Sequence, residues 1–192
     1  MNRTRKILRT LLVIGIVGTV AGVGSFSAFT SQADNDNNRV SAGTVTLTDN
    51  DGGTAPLYDI TAAKPGDTQT SCIRVAYTGS LDATVKLYTP STIGALGPEV
   101  NLKIESGTQA SPSYPSCTGF SAETTLFDAA LSTFATSYAG GVTDFPGTVA
   151  TKWVNGDAVV YRVTATLSAS AGDAAQGTTT GLHTLRWEAR NQ

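Results

Sequence analysis

Asp157-Ala158-Val159-Val160-Tyr161-Arg162-Val163-Thr164-Ala165-Thr166-Leu167-Ser168 is the stretch that decides the fold class. Val159, Tyr161, Val163, Ala165 and Leu167 recur at every second position, the period of a strand with one buried face. The same period runs through Val100-Asn101-Leu102-Lys103-Ile104-Glu105 and through Leu81, Ala83, Val85 and Leu87. Thr70–Tyr77 places Ile73, Val75 and Tyr77 on one face and Cys72, Arg74 and Ala76 on the other. Shorter alternations occur at Thr44–Thr48 and, at the carboxyl end, over Gly181–Arg190.

Turn residues punctuate these runs. Asp49-Asn50-Asp51-Gly52-Gly53 closes the first, and Pro65-Gly66-Asp67 precedes the second, with Pro presetting φ and Gly tolerating a positive one. Short strands separated by such turns predict an all-β fold, an antiparallel jelly-roll-like β-sandwich. One segment breaks the period. Phe127, Ala130, Leu131, Phe134 and Tyr138 fall three or four apart, which predicts one short helix over Thr124–Tyr138, stopped by Gly140-Gly141 and packed over the sandwich. Residues 168–181 read as a flexible polar loop.

The chain has 192 residues with thirteen Lys and Arg against fifteen Asp and Glu. Its length suits one domain, and a formal charge of −2 without a basic patch argues against nucleic acid as a partner. Arg3, Arg5, Lys6 and Arg9 all precede the apolar run Leu11–Val23. Without those four, nine bases remain against fifteen acids, a net charge of −6. A basic start followed by a short apolar run predicts a signal peptide over residues 1–27, cut between Ser27 and Ala28. The alternative, a retained anchor, needs about 18–20 apolar residues. Export follows, with membrane contact only through the uncleaved leader. The chain ends on a strand, which predicts no wall-sorting tail.

Export gives the two cysteines a meaning. Cys72 and Cys117 are expected to bridge within the chain, closing a loop of about 46 residues worth roughly 4 kcal/mol. Two free buried thiols or a bridge between chains are the alternatives.

Catalytic chemistry is thinly represented. There is no Gly-x-Ser-x-Gly elbow and no His-Glu-x-x-His, and His183 is the only imidazole. Its alternation with Leu185 and Trp187 reads as a packed or rim histidine. Glu99, Glu105, Glu123 and Asp128 show no pairing that singles out an acid and a base, and Glu105 reads as the solvated face of a strand. The Asp/Asn clusters at 34–38 and 49–53 offer the oxygen ligands calcium prefers, but Asx turns explain them without an ion. Trp153, at a turn, reads as packing on the sandwich edge, and Trp187 as core. No catalytic, cofactor-binding or metal-ligating residue is assigned.

Gly24-Ser25-Phe26-Ser27-Ala28-Phe29, then Ala42-Gly43-Thr44-Val45-Thr46-Leu47, Lys64-Pro65-Gly66-Asp67 and Tyr77-Thr78-Gly79-Ser80-Leu81 follow one another in an order that resembles the TasA/camelysin family of exported bacterial proteins. The resemblance covers residues 24–88 best and resumes loosely in the final strand. It implies a jelly-roll sandwich, a dedicated signal peptidase and, as in TasA-like members, assembly into extracellular biofilm-matrix fibres. There the amino-terminal segment of one subunit adds a strand to the next, giving an open head-to-tail filament of identical copies. On that reading residues 28–41 are an extended arm with Ala28, Phe29 and Val40 as its named positions, and 42–192 are the sandwich. The protein is then a secreted structural subunit of the matrix or cell surface. Camelysin-like members are metal-dependent endopeptidases, an activity this chain's single His and missing zinc motif do not carry over. A monomeric surface binding module is the other alternative.

Overall fold

The computed structural model describes residues 39–53, 55–146 and 151–192. The leader 1–27, the cut between Ser27 and Ala28, and the arm positions Ala28 and Phe29 lie outside them. Arg39, Val40 and Ser41 have no regular secondary structure, and Val40 is fully exposed.

From Ala42 to Gln192 the chain forms one unit of antiparallel strands in two layers. The strands are β1 (Leu47–Asp49), β2 (Thr68–Tyr77), β3 (Ala83–Tyr88), β4 (Val100–Gln109), β5 (Phe120–Ala130), β6 (Ala158–Leu167) and β7 (Arg186–Asn191). One sheet has the order β1-β2-β6-β4-β5; the other pairs β3 with β7. The second sheet widens on the far side of β3. There Leu87 exchanges backbone hydrogen bonds with Val142 (2.8 and 3.0 Å) and Ala83 with Trp153 (3.0 and 2.7 Å).

Alternation dictates which faces meet. In β6, at the centre of the larger sheet, Val159, Tyr161, Val163, Ala165 and Leu167 are all buried, as the period predicts. The register sets Ile73 and Val75 of β2 beside Tyr161 and Val159, and Leu102 and Ile104 of β4 beside Ala165 and Val163. Ala83, Val85 and Leu87 close the core from the other layer. Each buried Val, Leu or Ile side chain contributes about 1.5–3 kcal/mol. Trp153 is also fully buried, its indole N–H donating to the Asp144 carbonyl at 2.7 Å. At the Pro65 turn Gly66 takes φ +93°, and Asp67 N–H closes the turn onto the Lys64 carbonyl at 2.9 Å.

The predicted helix over Thr124–Tyr138 does not form. Residues 120–130 are a strand on the edge of β4, followed by two single-turn 3-10 helices at Leu131–Thr133 and Tyr138–Gly140. The apolar stripe is buried by other means. Phe127 meets Phe134 edge-on at 4.8 Å, Leu131 and Phe134 are buried, and the Tyr138 hydroxyl donates to the Thr84 carbonyl at 2.9 Å. The strand wins because it supplies partners to the backbone of β4, which a helix there would leave unpaired. Ser121, Thr124 and Thr125 are also residues that favour extended chain or turns over helix. The loop expected to be flexible, 168–181, is tied down: Gly94 and Leu96 donate to the carbonyls of Thr180 (2.7 Å) and Thr179 (3.2 Å).

Candidate functional site

An exposed sheet edge carries a row of unpaired N–H and C=O groups, which makes it a ready template for a further strand. The larger sheet has two edges. β1 is only three residues long. β5 is eleven residues long, the longest strand among the described residues, and Ser121–Thr125 are all exposed. Its inner side pairs with β4 from Asn101↔Ala130 to Gln109↔Phe120. Among the described residues no strand lies on its outer side. The pairing shifts register at Ile104/Glu105 and again at Ser106/Gly107. Gly107 lets the two strands approach, since a Cβ there would stand 2.0 Å from the Ser121 carbonyl oxygen.

The beginning of β5 is fixed from below by an ion cluster on the outer face of the sheet. Glu105 accepts from the Arg162 guanidinium at 2.7 Å (Nε) and 2.6 Å, and from Lys103 Nζ at 3.1 Å. The Phe120 ring covers Arg162, 4.8 Å from its guanidinium carbon. Glu105 is thereby 6% exposed, which corrects its reading as a solvated strand residue. Burial pushes its carboxyl up, but the hydrogen bonds and charges of Arg162 and Lys103 outweigh this and hold it below the usual carboxylate range.

Beside the cluster, Cys72 and Cys117 form the expected intramolecular disulfide, joining β2 to the connection between β4 and β5. The same connection is held by Cys72 N–H donating to the Pro115 carbonyl (3.0 Å). The Tyr114 hydroxyl also reaches the carbonyls of Ala55 (2.8 Å) and Pro56 (2.7 Å).

The remaining candidates stand apart from one another. His183 precedes β7 instead of lying in it. Its Nε2 meets the Tyr58 hydroxyl at 2.5 Å and its Nδ1 the Gly181 carbonyl at 2.9 Å. The carbonyl can only accept, so Nδ1 carries the proton and Tyr58 donates to Nε2. Burial pushes the Tyr58 phenol well above its ordinary value. In the turn after β1, Asp51 N–H donates to Asp49 (3.2 Å) and Gly53 N–H to Asp51 (2.5 Å), while Asn50 accepts from Arg74 N–H (2.8 Å). The first two are Asx turns, and the third ties the turn to β2. The 34–38 cluster lies outside the described residues. Among the described residues no three His, Cys, Asp or Glu side chains come close enough to hold a metal ion.

Glu99 sits in a 3-10 turn before β4 and Asp128 hydrogen-bonds Asn101 at 2.9 Å. Glu123 lines a cleft of about 370 Å³ with Asp144. On the outer face of the smaller sheet, Glu188 accepts from the Tyr88 hydroxyl and from Arg190, whose guanidinium lies 4.0 Å from the Tyr138 ring centre. Trp187 packs on Tyr161 at 5.5 Å.

The sequence reading missed the one feature of β5 that matters here, its position at the end of the sheet. Strand order is set by contacts between distant segments, and no local pattern encodes it. No family model matches the chain, and no curated protein matches it.

Proposed function

We propose that the protein is an exported structural subunit that assembles into extracellular or cell-surface fibres, the arm Ala28–Ser41 of one copy adding a strand to β5 of the next. The observation that carries this reading is the length and openness of the β5 edge. The eleven residues of β5 extend about 36 Å, and an arm of thirteen residues from Ala28 to Val40 reaches about 43 Å, so one arm covers the edge. Fully exposed Val40 is available as an apolar anchor. The contact is head-to-tail and does not close on itself, which generates a filament. The resemblance to TasA/camelysin proteins supports the same reading, and with it a jelly-roll topology, release by a signal peptidase and a place in the biofilm matrix.

Negative-stain electron microscopy of the chain from Ala28, beside a version lacking Ala28–Asn38, tests the proposal. Fibres are expected only with the arm. Monomers in both samples, at high concentration and with calcium present, contradict it and favour a binding module or an enzyme.

A further inference from the structure

We propose that the Cys72–Cys117 disulfide is a redox latch on the first half of β5: reduction releases residues 110–125 while the two-layer sandwich stays folded. The inference rests on the reading of β5 as the assembly edge, to which it assigns a control.

The two halves of β5 are held differently. Its carboxyl half leads directly into Leu131 and Phe134, both buried, and Phe127 packs on Phe134. Its amino half has no such anchor. Ser121–Thr125 are exposed and, among the described residues, pair only with β4, across two shifts of register. Segments with few buried contacts and solvent-exposed hydrogen bonds open at low free energy. Order in this half therefore depends on what precedes it: Phe120 on Arg162, and the ten-residue connection 110–119. That connection is tied to the rest of the domain by the Tyr114 and Pro115 hydrogen bonds, by the Gln109 side-chain amide donating to the carbonyls of Ser116 (3.0 Å) and Thr118 (2.9 Å), and by the disulfide. Water competes for the hydrogen bonds. It does not compete for the covalent bond.

The two sulfurs also differ. Cys72 is 1% exposed within β2, and β2 pairs with β6 from Thr68↔Thr166 to Ala76↔Ala158. Cys117 is half-buried, on the surface connection. An external dithiol therefore reaches the Cys117 sulfur. Its thiolate forms a bond to that sulfur, the Cys72–Cys117 bond breaks, and the electron pair leaves on Cys72, which takes a proton from water. The second thiol of the reagent then attacks its own sulfur in the mixed disulfide. Cys117 departs as a thiolate, takes a proton, and the dithiol is left oxidised to a cyclic disulfide. Cys72 remains in β2 as a small buried thiol, an environment such a side chain favours. The connection is free to leave.

Amide exchange read by mass spectrometry, on the oxidised chain and on the chain kept in excess dithiothreitol, tests the latch. The expected result is at least about tenfold faster exchange over 110–125, with 73–77 and 159–165 still protected. Cys117→Ser, measured without reductant, is expected to reproduce it. Uniform acceleration over every strand, or no change in 110–125, overturns the proposal. Brief treatment with glutathione is expected to leave the adduct on Cys117, and an adduct on Cys72 overturns the proposed route. Exchange is read on unassembled protein. Absence of fibres would thus count against the assembly reading while leaving the latch to be decided by exchange.

Discussion

Glu105 and Arg162 stand directly opposite each other on β4 and β6, and the guanidinium holds the carboxylate through Nε at 2.7 Å and a terminal nitrogen at 2.6 Å. The pair lies beneath Phe120, the first residue of β5, and so couples the centre of the sheet to its edge. Because the folded carboxyl titrates below its ordinary 4.5, its contribution is complete above that value and is lost as pH falls through the folded one. Denaturant midpoints are expected to fall steadily below about pH 4.5. Glu105→Gln is expected to cost about 1–2 kcal/mol at pH 7, discounted for the partial exposure of both cations. It should also flatten the acid dependence, checked by urea unfolding from pH 7 to pH 3.

Trp153 joins the smaller sheet by backbone hydrogen bonds to Ala83 and fills the core with its ring. Trp153→Ala should destabilise by about 3–5 kcal/mol through the cavity it leaves. Trp153→Phe keeps much of the apolar contact but strands the Asp144 carbonyl, a cost of about 1–3 kcal/mol. Thermal melts of the two variants should rank in that order.

Gly107→Ala puts a methyl into the Ser121 carbonyl, which belongs to the backbone and cannot rotate away. The strands must separate locally, at about 1–3 kcal/mol. A lower melting temperature with faster amide exchange over 120–124 is expected, and unaltered exchange there would count against so tight an approach.

Ala122 and Thr124 are exposed on β5. The double change Ala122→Lys and Thr124→Lys adds the charge that natural edge strands use against further pairing. The melting temperature should move little, by about 0.5 kcal/mol or less in stability. Fibre formation should be lost, as seen by electron microscopy and pelleting.

How far the sequence was legible follows from which forces are local. β2, β3 and β6 are readable from their alternation, and β4 from Val100 to Ile104, before its period breaks at the buried run Glu105–Gly107. The alternation at Thr44–Thr48 starts three residues before the strand does, since Thr44 and Thr46 accept hydrogen bonds from Ser80 and Thr78 but regular pairing begins at Leu47. β5 is hidden in the sequence because Phe127, Leu131, Phe134 and Tyr138 are gathered by a strand end and two tight turns whose spacing imitates a helix. Glu105 looked solvated because its cover, Arg162 and Phe120, comes from two other strands. The disulfide is legible from the cysteine count together with the expectation of export. The open edge was not, since which strand ends a sheet depends on all the others.

The measurement that bears most directly on strand donation is amide exchange over Phe120–Leu126 in the chain from Ala28, against the chain lacking Ala28–Asn38, both at polymerising concentration. An arm seated on β5 supplies partners to its outer N–H groups, so exchange there is expected to slow at least about tenfold only when the arm is present. Equal exchange in the two chains, or protection that appears on another edge, would contradict the assignment of β5 as the acceptor.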